Sequence, residues 1–538
     1  MAKFNILNIK NLGNPIIYVI FILTLTIIYS ALYNIQLFRN HYPSEYLTIL
    51  FLISIARDAV IWYIAGLNRW VFAVFAPIMF AFAAGLDYFV RTVKLGIGIG
   101  AFELLFQTNV KEAAGVINPL LVKTIIMGLI ISAIFVAIRF YIGGVKNNKT
   151  KLLLLAIFIV PVFLGKMPEE ALKEVKYGKG QRTERGVHVM PEKIVENLYH
   201  YALNQYRLKK LFRDRKNTPL PQVGYDDQGI DTSVFILTDA LRPDHMSING
   251  YGRQTTPNMM QLDFTSFAPM YACETSTTRS VPCLITRASR NQPINQYLKE
   301  PSFLTMFKAA GFDTAWISSQ GSVSTSDTGP SVVASDADYT FFNDGVNTLG
   351  RPIYDSDLLP ELDKFLQRKG NKKLVVLHLN GSHWDYSTRY TDQQKTYVPD
   401  CRQWVYDCTQ EEVVNAYDNT IIATDELVQE VVEKVKDKNA LIFFTSDHGQ
   451  FLGEHNRYIH SHELLEFKEL AEVPFAVWKS PSLNNNEKLQ ILETNTHKIT
   501  SHDNIFHTVT HCGGISSNLI DENLSLCNKD IKSLEAEF

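Results

Sequence analysis

Apolar positions follow two regimes along the chain. Before residue 167 they form long, nearly unbroken stretches at 14–37, 46–64, 70–90, 119–145 and 151–164. A helix that crosses a bilayer needs about 20 mostly apolar residues to span a hydrocarbon core of about 30 Å. The first, third and fourth stretches meet this easily. The second contains the adjacent charges Arg57 and Asp58, and the fifth is short and contains Pro161. The pattern predicts five spanning helices. The first stretch is too long for a cleavable leader and lacks a small-residue cleavage site. From residue 231 the apolar runs shorten to 234–237, 314–318, 374–379, 441–445 and 473–478, with helical stretches such as 301–310, 359–368 and 411–435 between them. Buried runs of 4–8 residues alternating with helices predict an α/β domain with a largely parallel sheet. Residues 167–230 are charged and helix-prone, broken by Pro191, Pro219 and Pro221, and read as a bridge lying on both the membrane and the domain. The expected organisation is a five-helix transmembrane domain over 1–166, bridging helices over 167–230 and an α/β domain over 231–538.

Charge and cysteine give this pattern an orientation. Residues 1–166 carry 14 Lys/Arg and 5 Asp/Glu, while the remaining 372 carry 38 and 50. An acidic soluble part repels phosphate backbones, which argues against nucleic acid as a partner. Lys3 and Lys10, then Arg69, then Lys146, Lys149 and Lys151 fall on one side if five helices span, and positive loops stay inside. The C-terminal domain is then outside. All six cysteines follow residue 166, as near neighbours 273 and 283, 401 and 408, 512 and 527. That grouping favours Cys273–Cys283, Cys401–Cys408 and Cys512–Cys527 bonds in an oxidising compartment. The alternative is six buried thiols in a cytosolic domain. The spacing gives no C-x-x-C zinc cage.

Polar residues gather where the apolar runs end. The first run ends in Asp239, the fourth in Asp447-His448-Gly449 and the third in His378, with His383 five residues on and His460 and His462 after the fourth. Ligands of such sheets bind at the C-terminal strand ends. Carboxylates with imidazoles form an N/O donor set that suits zinc, with manganese next. The hydroxyl-rich segment from Cys273 to Cys283 offers nucleophiles that a metal would activate by lowering their pKa; it is equally a Thr/Ser-rich turn closed by a disulfide. Arg57-Asp58 is expected to snorkel to the membrane face. The long connection 91–118, with Gln107, Thr108 and Glu112, is either an amphipathic loop helix or a place for a zwitterionic headgroup.

Five ordered segments together resemble a known family. They are Asp239-Ala-Leu-Arg-Pro-Asp-His through Pro257, Cys273-Glu-Thr-Ser-Thr-Thr-Arg-Ser-Val-Pro-Cys283, Gly381-Ser-His383, Asn415-Ala-Tyr-Asp-Asn419, and Ser446-Asp-His-Gly449 with Leu452-Gly-Glu454 and His460. They are similar to motifs of the membrane-bound phosphoethanolamine transferases that modify lipopolysaccharide, including the colistin-resistance enzymes, within the alkaline phosphatase/sulfatase superfamily. The resemblance implies an inner-membrane protein with five helices and a periplasmic catalytic domain, acting as a monomer. It implies Thr277 as the nucleophile that takes phosphoethanolamine from phosphatidylethanolamine, releasing diacylglycerol, and passes it to lipid A or lipopolysaccharide. Asp239, Thr277, Asp447 and His448 are similar to the ligands of a catalytic zinc. His383 and His460 are similar to residues that hold the phosphoryl group or a second zinc. Gln107, Thr108 and Glu112 are similar to donor-headgroup residues. The product's added amine would weaken binding of polymyxin-like cationic peptides.

The chain also departs from the pattern. Asp239 stands in place of Glu, Glu274 in place of Gly and Leu104 in place of Asn, while His455 and His462 have no counterpart. Other readings are transfer to core heptose, Kdo or a protein, a related phosphoglycerol transferase, and a transporter or receptor whose outer domain binds metal without chemistry.

Overall fold

The computed structural model describes residues 15–41, 47–92, 119–177, 192–227, 229–292, 294–320, 328–343, 352–460 and 467–534. They divide into two compact units, with the boundary between residues 203 and 204. The first unit is helical. Its helices are α1 (Pro15–His41), α2 (Leu47–Gly66), α3 (Arg69–Thr92), α4 (Pro119–Tyr141) and α5 (Asn148–Tyr177). Among the described residues, four are long and apolar enough to cross a membrane, namely those built on the first four apolar stretches. The fifth stretch opens α5, a 30-residue helix whose apolar run covers 151–164.

Aromatic rings fill the core of this bundle. Tyr29, Trp62, Phe72 and Phe80 are fully buried and meet mostly edge to face, as ring quadrupoles favour. Arg139 on α4 donates to Gly66 O at 2.7 Å, satisfying a carbonyl at the end of α2. The snorkelling expected of Asp58 is corrected here. Asp58 is 0% exposed, and its Oδ2 accepts from Ser30 Oγ at 2.8 Å and Asn34 Nδ2 at 3.1 Å. Ser30 and Asn34 lie four residues apart on one face of α1, so a single carboxylate reaches both.

Helix α6 (Glu192–Lys216) follows. Within the second unit its last turn is fixed by Arg215, which grips Asp336 with two nitrogens at 2.7 and 2.6 Å and donates to the carbonyls of Leu298 and Glu300. Seven strands make the central sheet: β1 (Thr232–Thr238), β2 (Thr265–Ser266), β3 (Asp313–Ser318), β4 (Tyr339–Phe342), β5 (Lys373–His378), β6 (Ala440–Ser446) and β7 (Phe475–Lys479). Their spatial order is β2-β7-β6-β1-β5-β3-β4. Strands β6, β1, β5, β3 and β4 run parallel, and β7 joins antiparallel to β6 and β2. Every residue of β1, β5 and β6 is buried, because helices cover both faces of a parallel sheet. Their continuous apolar runs are the result.

Three helices frame the C-terminal strand ends: α7 (Thr277–Ile285), α8 (Gln410–Val435) and α9 (Asp503–Cys512). A capping box starts α8, with Thr409 and Glu412 satisfying each other's backbone amides. Disulfides join Cys273 to Cys283, Cys401 to Cys408 and Cys512 to Cys527.

Candidate active site

The parallel strands β1 and β6 end side by side, and each delivers a carboxylate. Asp239 follows β1 and is 2% exposed; Asp447 and His448 follow β6 and are fully buried. Donor atoms of the three lie within 4.8 Å of one another. His448 Nε2 stands 3.7 Å from Asp239 Oδ1 and 3.5 Å from Asp447 Oδ2. His448 Nδ1 is 2.9 Å from Gly449 O. That carbonyl can only accept, so Nδ1 carries a proton, which leaves Nε2 of the neutral ring to turn a lone pair toward the carboxylates. Thr277 Oγ1 completes the cluster, 3.2 Å from Asp239 Oδ2 and 3.4 Å from His448 Nε2.

This arrangement fits a divalent cation. Asp447 Oδ1 accepts from the amides of Ala240 and His448, but its Oδ2 is buried with no hydrogen-bond partner. Two buried carboxylates and an imidazole lone pair facing one another are costly unless positive charge lies between them. Asp239, Asp447 and His448, with Thr277 Oγ1 as a fourth donor, can hold such an ion with the N/O set zinc prefers.

Thr277 is the first residue of α7, so its amide and that of Thr278 open the helix without an intrahelical acceptor, while Arg279 N and Ser280 N donate to Ser276 O. That turn can take a phosphoryl oxygen. The hydroxyl of Ser276, 2% exposed, has no hydrogen-bond partner. The helix is tied from behind to the loop after β6: Ser280 Oγ donates to Asp447 O at 2.5 Å. His502 strengthens the tie. Its Nε2 reaches Ser446 O at 3.0 Å and its Nδ1 accepts from Cys273 N at 3.2 Å. Burial holds the His502 pKa down to about 4, so the ring is neutral and this tautomer persists.

The loop after β5 brings in His383. Its ring centroid is 5.4 Å from that of His460, which in turn lies 4.3 Å from that of His448. Ser382 N donates to Asp239 O at 2.9 Å, and Gln450 Nε2 donates to Ser382 O at 2.7 Å, so this loop is anchored to the metal-ligand loops. His378 stays in the strand layer with Nδ1 on Ser318 Oγ at 3.0 Å. His455 stands apart, its Nε2 3.8 Å from Glu469 and its ring against Phe467. Burial raises the Glu274 pKa, with Arg279 opposing the shift. Gln107, Thr108 and Glu112, with Leu104 and His462, lie outside the described residues.

The sequence reading missed three residues of this site. Gln320, just past β3, donates to Asp239 Oδ2 at 2.7 Å and to Leu379 O at 3.0 Å. His502 and Tyr417 act on the loops that carry the ligands. Only the motif Asn415–Asn419 signalled any of them, and it gave no role.

Comparison with known proteins follows the same division of the chain. The Sulfatase family profile matches residues 231–515, and the profile described as phosphoethanolamine transferase EptA/EptB matches residues 59–206. A Kdo(2)-lipid A phosphoethanolamine 7''-transferase of Escherichia coli is 25% identical over 495 residues, covering 86% of each chain. A phosphoethanolamine transferase EptA of Helicobacter pylori is 26% identical over 509 residues, covering 90% of this chain and 91% of that one. Among solved structures, the integral membrane lipooligosaccharide phosphoethanolamine transferase A of Neisseria meningitidis superposes with a TM-score of 0.77 at 21% identity, over 94% of this chain and 98% of its own. The periplasmic domain of Escherichia coli EptC, solved in complex with Zn, superposes with a TM-score of 0.53 at 23% identity, over 59% of this chain and 92% of that one.

Proposed function

As the chain belongs to the sulfatase family, in the branch with an EptA/EptB-type N-terminal region, we propose that it transfers phosphoethanolamine from phosphatidylethanolamine to lipid A phosphate. The observation that carries the reading is the hydroxyl of Thr277, at a helix N-terminus and within 3.4 Å of both Asp239 and His448. A zinc ion held by Asp239, Asp447 and His448 would lower the pKa of that hydroxyl and offset charge on the phosphoryl oxygens.

In the first half-reaction Thr277 Oγ forms a bond to the donor's phosphorus. The bond from phosphorus to the diacylglycerol oxygen breaks, and the threonine proton ends on that oxygen. Asp239 Oδ2 orients the hydroxyl, and the first-turn amides of α7 hold a phosphoryl oxygen. His383 and His460 face the same space and steady the others. In the second half-reaction an acceptor oxygen attacks the phosphorus, the Thr277 ester breaks and the hydroxyl regains a proton. Covalent two-step transfer gives ping-pong kinetics. Three disulfides support placing the catalytic domain in an oxidising compartment, the periplasm, which requires a fifth crossing through α5. A bundle of apolar helices supports an inner-membrane enzyme that meets lipid substrates in two dimensions.

A second acceptor reading follows from the relative named a Kdo(2)-lipid A 7''-transferase: a sugar hydroxyl of Kdo. Mass spectrometry tests both. The purified protein is incubated with phosphatidylethanolamine and zinc without acceptor, beside Thr277→Ala. A phosphoethanolamine adduct on the Thr277 peptide with diacylglycerol release, both lost in T277A, is the expected result. Adding lipid A with and without Kdo then assigns the acceptor. No adduct in folded, zinc-loaded protein sinks the reading.

A further inference from the structure

The segment Asn415–Thr420 of α8 takes no part in the chemistry above, yet every polar side chain in it is buried. Each is committed to a loop. Asn415 accepts from Arg253 and donates to Pro399 O, both at 2.8 Å. Asp418 holds His245 at 2.8 Å, Tyr251 at 3.0 Å and Arg253 at 2.8 Å. Asn419 accepts from the amides of Thr396 and Tyr397 and donates to Tyr397 O. Thr420 donates to Ser382 Oγ at 2.7 Å.

Tyr417 does something different. Its hydroxyl donates to Ala240 O at 2.8 Å and accepts from Arg242 N at 2.8 Å. One oxygen thus bridges the carbonyl and amide that flank Leu241. The turn it closes is an unfavourable one. Ala240 has φ +55°, a left-handed conformation that costs an L-residue with a Cβ free energy and persists only where surroundings impose it. Ala240 directly follows Asp239, so the peptide plane that this φ fixes also fixes where the Asp239 side chain leaves the backbone. The neighbouring ties reach other parts of the site: Ala240 N donates to Asp447 Oδ1, Leu241 N to Ser446 Oγ at the end of β6, and Ser382 N to Asp239 O. Tyr417 is anchored in a 26-residue helix instead. Burial pushes its phenol pKa up, so the donor proton is retained.

We propose that Tyr417 is a positioning residue whose hydroxyl clasps the left-handed turn at Ala240 and so aims Asp239 at the cation. The proposal rests on the metal-site reading above. Without the clasp Ala240 relaxes to an ordinary φ, Asp239 swings away, and the cation keeps fewer ligands. Outer-sphere groups that orient a ligand commonly control metal affinity by 10–100-fold.

The test is zinc affinity of the full-length detergent-solubilised protein, measured by competition with a chromophoric chelator. Wild type, Asp447→Asn, Tyr417→Phe and Asn419→Ala are compared, with the thermal midpoint of each metal-free form recorded. Y417F removes one oxygen and keeps the ring. N419A removes three buried hydrogen bonds that do not touch the turn. The expected result is a loss of at least tenfold in zinc affinity for Y417F and less than twofold for N419A, although both lower the metal-free midpoint. Adding Ala240→Gly to Y417F should recover at least threefold, because glycine adopts positive φ freely. Zinc affinity in Y417F equal to wild type, or reduced no more than in N419A, overturns the proposal alone. A wild type that binds no zinc, or binds it equally well as D447N, overturns the metal reading and the proposal with it. If Y417F does not accumulate folded, Y417F/A240G is compared with A240G, and a loss under twofold overturns the proposal.

Discussion

Gly381 occupies the tightest point of the site. Its φ is +52°, and a Cβ placed on it would lie 2.0 Å from Thr238 Oγ1, 2.7 Å from Asp239 N and 2.9 Å from Asp239 O. Two of these atoms are backbone at a strand end and cannot retreat without moving it. Gly381→Ala should cost about 3 kcal/mol of stability or more and lower kcat/KM at least 100-fold, because relief of the clash moves Asp239. Denaturant unfolding and a transfer assay on the same preparation check this. Wild-type values in either would show that the loop after β5 yields. The motif Gly381-Ser-His383 was legible in the sequence through its histidine. The need for glycine was not, because the atoms it must avoid belong to residues 238 and 239, more than 140 positions earlier. Tyr417, Gln320 and His502 escaped for the same reason. Each acts through a contact to a segment at least 80 residues away, and no local pattern marks such a pairing.

Elements were more readable than contacts. Strands β1, β5 and β6 are buried along their whole length, so their apolar runs are unbroken and their ends are marked by the first polar residues. That is why Asp239, Asp447 and His448 could be grouped before any coordinates. Strand β4 has no fully buried residue and β2 has two residues, so neither leaves a signal in the sequence. Helix α9 was invisible in another way. It carries His507, whose Nδ1 accepts from Asp521 N at 3.0 Å, and burial holds its pKa down to about 4. The unfolded chain titrates near 6.5, so below that pH it binds a proton the folded state refuses. Stability is fully present above pH 6.5 and falls as pH drops toward 4, by roughly 1 kcal/mol per unit. His507→Gln cannot titrate. The stability gap between wild type and H507Q should therefore narrow from pH 7 to pH 5 in urea unfolding, and a constant gap would show that His507 titrates alike in the folded and unfolded states.

At the scale of the whole molecule, the positive first third and the acidic remainder were plain from counting residues. The number of crossings was not, because the fifth apolar run is short. Nor was the burial of Asp58, whose partners sit on α1. Under the proposed metal reading, the acidic pair at the strand ends also makes the entire second unit depend on the ion it would hold. Stripping zinc with a chelator should abolish transfer and lower the thermal midpoint, and zinc should restore both. Free zinc at 1,000 times Kd stabilises the folded state by about 4 kcal/mol. Equal midpoints with and without chelator would mean that the two carboxylates are balanced by another group.

The bond between Cys273 and Cys283 closes the segment that carries Thr277. A newly made chain has two thiols there. Under the proposed function, the segment that presents Thr277 takes its final shape only once those thiols are oxidised, so competence would be acquired on arrival rather than at translation. Under that proposal, a cell that lost thiol oxidation outside its cytoplasm would lose the transfer while transcript and protein remained at full level.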